Sequence, residues 1–98
     1  MTSNQLTIVT RIVTKEEHLE FVKTELLKLI PFAKTEQGCI AYYLHQDISE
    51  PKIFMLYEKW GNPELWQLHM KSNYMVNFMK LTEGTLEEFE AREMISII

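Results

Sequence analysis

Two neighbouring segments carry apolar side chains at both odd and even positions, and this pattern restricts the possible folds more than any other feature. Residues 39–45 read CIAYYLH and residues 52–60 read KIFMLYEKW. Both segments are short and rich in aromatic and β-branched residues, as strands are, and residues 47–51 between them (DISEP) have the composition of a turn. The two segments therefore predict a β-hairpin with two apolar faces. Both faces need cover, because an exposed face would carry polar residues.

The segment before the hairpin predicts a strand followed by a helix. Residues 6–13 (LTIVTRIV) are rich in β-branched residues, which favour strands. Thr14 and Glu17 have the spacing of a capping box, which predicts that a helix begins at Thr14. Pro31 is expected to kink or interrupt the last part of this helix, and Gly38 is expected to mark its end.

The segment after the hairpin predicts two short helical stretches and a last strand. Asn62-Pro63-Glu64 combines an N-cap residue, a proline at the first helical position and an acid in the first turn. This combination predicts a helix that runs to about Met70. Ser72 is expected to cap a further helical stretch, which Gly84 ends. Residues 86–98 are then expected to be extended.

The resulting order, β-α-β-β-α-β, predicts an α+β, ferredoxin-like fold with a four-stranded antiparallel sheet and helices on one face. Helices of the same chain cover only one face of the hairpin. The other face is expected to pack against the sheet of an identical subunit, so the sequence predicts a homodimer through the sheet face. The alternative is an apolar surface patch that stays exposed.

Composition restricts the function. The chain has 98 residues, which suits a single domain over residues 1–98. Its net charge of -4 opposes binding to phosphate backbones, so no nucleic-acid partner is expected. Cys39 is the one cysteine, which excludes an internal disulfide, and no apolar run is long enough to span a membrane. We therefore expect a cytoplasmic protein with no membrane partner.

No cofactor is expected from the sequence motifs. His18, His45 and His69 fall in three different predicted elements and lack the ligand spacing of a metal site. The chain also lacks a P-loop and a GxGxxG fingerprint. We therefore expect neither a bound metal nor a nucleotide cofactor.

A set of residues spread along most of the chain has the order and spacing of a known family. The set comprises Glu36-x-Gly38-Cys39-x-x-Tyr42, Tyr57-Glu58-x-Trp60, His69, Tyr74 and Phe78. In these residues the chain resembles the antibiotic biosynthesis monooxygenase (ABM) family, and most of all its small quinol-monooxygenase-like members. The resemblance extends from about Leu6 to the C-terminus. It implies a ferredoxin-like fold that pairs into a dimeric α/β-barrel.

The resemblance implies a cofactor-independent monooxygenase that oxidises a small aromatic quinol or polyphenol with O2. The family also includes an isomerase and a heme-degrading branch. That branch typically carries Asn on the first strand and Trp where this chain has Thr10 and His69, which argues against heme degradation. Two alternatives stay open: an isomerase of a small phosphorylated carbonyl compound, or a non-catalytic small-molecule-binding module. The isomerase would need cations for phosphate, and Arg11, Lys59 and Lys71 are the only nearby ones.

A cofactor-free oxygenase needs a group that takes a proton from its substrate, and aromatic walls that exclude water. His69 is the first catalytic candidate because its ordinary pKa lies near physiological pH, although a histidine here can also simply pack or cap a helix end. Glu58 lies in an apolar strand, so it is either a proton acceptor or half of an ion pair with Arg11. Tyr57 is the third catalytic candidate. The expected substrate-binding residues are Tyr42, Trp60, Trp66, Tyr74 and Phe78.

Overall fold

All the predicted strands and helical stretches are present, in the predicted order, in the computed structural model, which describes residues 5–98. The elements are strand β1 (Leu6–Thr14), helix α1 (Leu19–Thr35), strands β2 (Cys39–Gln46) and β3 (Ile53–Trp60), helices α2 (Pro63–Met70) and α3 (Asn73–Leu81), and strand β4 (Leu86–Met94). A single 3-10 turn, Glu16–His18, joins β1 to α1. No helix in residues 5–98 is both long enough and apolar enough to cross a membrane.

The strands of residues 5–98 form one antiparallel sheet in the order β2-β3-β1-β4. Thr10 on β1 lies opposite Leu56 on β3 and opposite Ala91 on β4. Tyr42 on β2 lies opposite Glu58 on β3. This strand order, with the helices on one face, is the ferredoxin-like arrangement that the sequence predicts.

The core lies between the sheet and the helices. On β1 the even-numbered residues face the helices, and Ile8 and Ile12 are fully buried there. Helix α1 packs on them through Val22, Leu26 and Leu29. Burying each such side chain contributes about 1.5–3 kcal/mol, so this layer is the main source of stability.

Two of the predicted helix starts are confirmed. The Asn62 side chain accepts a hydrogen bond from the Leu65 amide at 2.9 Å, and the Ser72 hydroxyl accepts one from the Met75 amide at 3.4 Å. Each side chain satisfies a backbone donor that the first turn of a helix leaves free. These caps begin α2 and α3, which together form the short helical layer beside α1.

The predicted capping box at Thr14 is wrong. Thr14 is the last residue of β1, and its amide donates to the Lys52 carbonyl at 2.9 Å. Helix α1 begins only at Leu19, after the 3-10 turn. The predicted interruption at Pro31 is also wrong, because α1 runs unbroken to Thr35. A proline inside a helix costs about 3 kcal/mol, and packing of the helix against the sheet offsets this cost.

Two details of the strands also differ from the prediction. Strand β4 ends at Met94 instead of reaching Ile98, because Met94 lies opposite Thr7, near the start of β1, where the partner strand runs out. In a regular strand Ile40 would share a face with Tyr42. The pairing of β2 instead shifts between Cys39 and Ala41, which makes Ile40 an extra residue that is 52% exposed.

Candidate active site

His69 lies at the centre of a buried polar cluster between α2 and the sheet. Helix α2 turns Trp66 and His69, three residues apart, toward the core. The His69 side chain is 1% exposed. Its ring packs on Trp60 with the centroids 4.7 Å apart and meets the edge of Tyr42 at 5.6 Å. These aromatic walls fix the orientation of the imidazole.

Glu36 and Tyr74 contact one nitrogen of His69. The Nδ1 atom lies 2.6 Å from Glu36 Oε2 and 2.9 Å from the Tyr74 hydroxyl. The Tyr74 hydroxyl also donates a hydrogen bond to Glu36 Oε2. The Glu36 side chain is 24% exposed, so this end of the cluster lies close to solvent.

The turn that carries Glu36 is held close to α2 by a glycine. Gly38 has a φ of 88°, in the left-handed region that favours glycine. A Cβ atom at this position would clash with the Leu65 side chain of α2. The Gly38 carbonyl also accepts a hydrogen bond from the Gly61 amide at 2.8 Å. This close approach lets Glu36 reach His69, which is 33 residues away in sequence.

Glu58 lies on the other side of His69, deeper in the core. Its side chain is 4% exposed, and its Oε1 atom accepts a hydrogen bond from the Trp60 indole at 2.9 Å. The same oxygen lies 3.9 Å from His69 Nε2. The expected ion pair with Arg11 is wrong. Arg11 points to the opposite face of the sheet, where it pairs with Glu88 at 3.1 Å.

Burial changes the pKa values of the cluster toward neutral side chains. Desolvation raises the pKa of Glu58 to about 7, against the hydrogen bond from Trp60, which lowers it. Desolvation also lowers the pKa of His69, although the hydrogen bond and charge of Glu36 raise it in part. Burial raises the pKa of the hydroxyls of Tyr42 and Tyr74 as well, so both act as neutral hydrogen-bonding groups.

A small internal cavity of about 10 Å³ adjoins Glu58. Its walls are mostly apolar, and the residues that line it are Thr10, Leu29, Tyr42, Leu56, Glu58, Trp66, Met70, Met75, Phe78, Phe89 and Ala91. A separate outer cavity of about 110 Å³ lies between α1 and α3. Leu29 and Phe78 line both cavities and therefore form the wall between them.

Three buried polar atoms near this cavity have no hydrogen-bond partner among residues 5–98. They are the Tyr42 hydroxyl, the Trp66 indole nitrogen and His69 Nε2. Tyr42 and Trp66 line the cavity itself. A buried polar atom without a partner costs about 1–3 kcal/mol. Three of them close together are unusual in a core, and groups that recognise a ligand are one reason to retain them.

Most of the site residues expected from the sequence are close together in the structure. The expected residues that line the cavity are Glu58, Tyr42, Trp66 and Phe78. Glu58 also adjoins His69. Trp60 holds Glu58 through its indole, and Tyr74 lies on the outer side of His69.

Tyr57 is not part of this group. It lies on the opposite face of the sheet, where it stacks on Tyr43 with the ring centroids 6.5 Å apart.

Glu36 is the main residue of the cluster that the sequence did not single out as functional. Glu36 is one of the residues that carry the family resemblance, and this was the only feature of the sequence that could have identified it as functional. Its sequence position gives no hint of a contact with His69, because only the packing of α2 on the turn before β2 joins the two. Thr10 was likewise not expected to line the cavity. Among the described residues no group of three or more His, Cys, Asp or Glu side chains is placed to hold a metal ion.

Comparison with known proteins supports the fold along the full chain. The PA3566 protein of Pseudomonas aeruginosa superimposes with a TM-score of 0.94 at 24% identity and covers 100% of this chain and 99% of its own. A crystal structure named antibiotic biosynthesis monooxygenase gives a TM-score of 0.89 at 19% identity, over 95% of this chain and 99% of that one.

A sequence relative and a family model complete the comparison. The human N-terminal EF-hand calcium-binding protein 1 is 31% identical over 72 residues, which are 74% of this chain, and the match spans 20% of the human protein. The model of the family described as antibiotic biosynthesis monooxygenase matches residues 5–81, a range that includes Glu36, Glu58, His69 and Tyr74. The chain therefore belongs to the ABM family.

Proposed function

We propose that this chain is a cofactor-independent monooxygenase that oxidises a small aromatic quinol or polyphenol with O2. One observation carries the proposal: a buried carboxyl group, Glu58, lines an apolar cavity together with Tyr42 and Trp66, two residues whose polar atoms are buried without a hydrogen-bond partner among residues 5–98. An apolar cavity with a few convergent polar groups suits a flat aromatic ligand that carries hydroxyl groups. Membership in the ABM family supports the same reaction class.

The reaction balances without a cofactor. One oxygen atom of O2 enters the ring of the substrate, and the other leaves as water with two hydrogen atoms of the substrate. The substrate therefore supplies all the electrons. What the protein must supply is a base for the hydroxyl proton, since a phenolate reacts with O2 more readily than a phenol does, and a site from which water is excluded.

Glu58 is the group best suited to take that proton. Its pKa of about 7 makes it half ionised near neutral pH, which is where a general base is most effective. The Trp60 indole holds its carboxyl group in place. In this proposal the Tyr42 hydroxyl and the Trp66 indole, which lack a partner among residues 5–98, hydrogen-bond a second oxygen atom of the substrate.

The cavity must enlarge before an aromatic ring can enter, because about 10 Å³ holds no more than one water molecule. Met70 and Met75 line it, and methionine side chains are flexible enough to change rotamer and make room. The wall of Leu29 and Phe78 separates it from the outer cavity. We infer that substrate enters between α1 and α3.

The isomerase alternative has weaker support. An isomerase of a phosphorylated compound would need Lys or Arg at the site to hold the phosphate. The residues that line the internal cavity include neither. Of the three candidates for this role, Arg11 and Lys59 lie on the opposite face of the sheet, and Lys71 is an exposed residue at the end of α2.

Oxygen uptake with a panel of quinols and polyphenols tests the proposal. A substrate should consume one O2 per molecule without releasing hydrogen peroxide. Glu58→Gln should reduce kcat by about 10²–10⁴-fold, the range for loss of a general base. Glu83→Gln removes the same charge from the exposed turn after α3 and should leave the rate unchanged. Tight binding of a quinol without oxygen uptake would favour a non-catalytic binding module instead.

We also propose that the chain works as a homodimer through the uncovered face of the sheet. On this face Met55 is 40% exposed and Tyr43 is 54% exposed, and the Tyr57 ring stacks on Tyr43. A second sheet would cover these side chains. Dimerisation through this face leaves the helix layer and its cavity free for substrate.

A further inference from the structure

The two ring nitrogens of His69 have different surroundings. Nδ1 lies 2.6 Å from a carboxylate oxygen of Glu36, whereas Nε2 is buried without a hydrogen-bond partner among residues 5–98. A carboxylate only accepts hydrogen bonds, so Nδ1 must be the nitrogen that donates. The neutral ring therefore carries its proton on Nδ1, and Nε2 has a free lone pair.

The free lone pair of Nε2 lies on the side of Glu58. Glu58 Oε1 is 3.9 Å away, which is one small side-chain movement beyond hydrogen-bond distance. The Trp60 indole donates a hydrogen bond to the same oxygen, and its ring packs on the imidazole of His69. Trp60 therefore fixes the positions of both Glu58 and His69. A buried acceptor without a partner destabilises the fold, so its presence needs a reason. The position of Nε2 beside the Glu58 carboxyl group would allow it to accept a proton.

We propose that Glu36 is a positioning residue that holds His69 as the Nδ1–H tautomer and so keeps Nε2 open to accept a proton from Glu58. This inference rests on the proposed monooxygenase function. The substrate hydroxyl gives its proton to the Glu58 carboxylate, and Glu58 then passes a proton to Nε2. The proton later returns by the same atoms to the oxygen that leaves as water. No electrons pass through the three side chains.

Tyr74 gives this proposal a distinctive consequence. In the native cluster the Tyr74 hydroxyl donates to Glu36, although it also lies 2.9 Å from His69 Nδ1. Without the Glu36 carboxylate, the hydroxyl is free to donate to Nδ1 instead. That hydrogen bond requires an unprotonated Nδ1, so it stabilises the Nε2–H tautomer. Glu36→Ala should therefore reverse the tautomer of His69 and close Nε2 to the proton of Glu58.

Nitrogen NMR of the labelled protein measures the tautomer directly, above the pKa of His69. The wild type should carry the proton on Nδ1, and Glu36→Ala should carry it on Nε2. Tyr74→Phe should keep the wild-type tautomer because Glu36 remains as the acceptor. Glu83→Gln, which removes one exposed carboxylate, should also keep it. A wild-type His69 protonated on Nε2, or a Glu36→Ala variant with an unchanged tautomer, would overturn the proposal. The wild-type spectrum alone can overturn the proposal, even where a variant does not fold.

Kinetics test the role in turnover separately. With a quinol that the wild type oxidises, Glu36→Ala should lower kcat by about 10²-fold or more at a nearly unchanged KM, the loss expected when a general acid–base group is disabled. Tyr74→Phe should stay within a few-fold of the wild type. A Glu36→Ala variant with wild-type kcat would overturn the proton transfer to Nε2. If no quinol is oxidised while the NMR results are as expected, the monooxygenase function fails, and the control of the His69 tautomer by Glu36 stands.

Discussion

Glu58 and His69 are ionisable side chains in the most buried layer of the protein, and their environment shifts the pKa of each in the direction that favours its neutral form. Burial raises the pKa of Glu58 to about 7 and lowers the pKa of His69. Between these two pKa values Glu58 is protonated and His69 is a neutral imidazole, so the pair carries no charge. Two neutral groups cost far less to bury than an ion pair without further partners, which explains how the core tolerates them.

This arrangement predicts a pH-dependent cost of folding from Glu58. The folded pKa is about 7 and the unfolded value is 4.5, so between these pH values the folded state binds the extra proton. Stability from this group therefore falls as pH rises through that window, by an amount on the order of 3 kcal/mol in total. His69 has the opposite sign, because its lowered pKa makes stability rise with pH up to its ordinary value.

Glu58→Gln isolates the Glu58 contribution, since the amide oxygen can still accept from Trp60 and His69 is retained. Urea unfolding at pH 5 and pH 8.5 should show that the variant gains stability relative to the wild type as pH rises. Equal differences at the two pH values would mean that the pKa of Glu58 is not raised in the folded protein.

For individual residues, the sequence could predict which side chains belong to the site but not which of them contact each other. His69 and Glu58 were identified from the family pattern and from a carboxyl group in an apolar strand. The partner of Glu58 was predicted wrongly, because the faces of Arg11 and Glu58 depend on the register of β1 with β3. That register places Ile8 opposite Glu58 and sends Arg11 to the other face. Glu36 was missed as a partner of His69 because tertiary packing alone joins them.

At the scale of elements, α1 and α3 form the wall that separates the internal cavity from the outside. The wall is thin, since Leu29 and Phe78 each contact both cavities. Phe32 and Tyr74 stack across the same two helices with their centroids 5.1 Å apart. If substrate enters here, the size of the Phe78 side chain should control the rate of entry.

Phe78→Leu should speed the binding of a naphthol, which is a small, flat aromatic phenol. The smaller side chain thins the wall and should cost about 1–2 kcal/mol of unfolding free energy, which the fold should tolerate. Stopped-flow quenching of tryptophan fluorescence measures the association rate, because Trp66 lines the cavity. Met79→Ala is the matched control, since Met79 is a 41% exposed residue on the same helix. An unchanged association rate in Phe78→Leu, or an equal effect in Met79→Ala, would place the entrance elsewhere.

Helix and strand positions were largely predictable, and the errors have a common cause. Asn62 and Ser72 were identified correctly because each cap acts within one helical turn and no other element competes for it. Thr14 fits the capping pattern equally well, but its backbone is taken by pairing with the neighbouring strand segment at Lys52. The end of β4 was also missed, since it depends on where β1 runs out. Local sequence patterns thus predicted the helices and strands themselves. The boundaries that were predicted wrongly are set by long-range strand pairing, which local patterns do not contain.

For the whole molecule, the main unexplained feature is the uncovered face of the sheet. A broad groove of about 730 Å³ runs over it, lined in part by Val9, Met55 and the β2–β3 turn. Ile48 in that turn is 99% exposed, and Ile95 and Ile97 beyond β4 are 75% and 90% exposed. Apolar side chains at both ends of an uncovered sheet are better explained by a second copy of the chain than by an isolated surface.

The dimer can be tested by placing a charge on each layer of the molecule in turn. Sedimentation at micromolar concentration should give the wild type about twice the chain mass of 11.7 kDa. Met55→Glu adds a charge to the uncovered face, where it is harmless in a monomer but costs about 3 kcal/mol or more in a dry interface, so the variant should sediment as a folded monomer. Leu68→Glu makes the same change at a 64% exposed residue of α2 and should stay dimeric, because the helix layer lies away from the partner.

A monomeric wild type, or a Met55→Glu variant that remains dimeric, would show that the sheet face is not the interface. If Leu68→Glu dissociates the dimer instead, the subunits meet through their helices, and access to the cavity would depend on the partner.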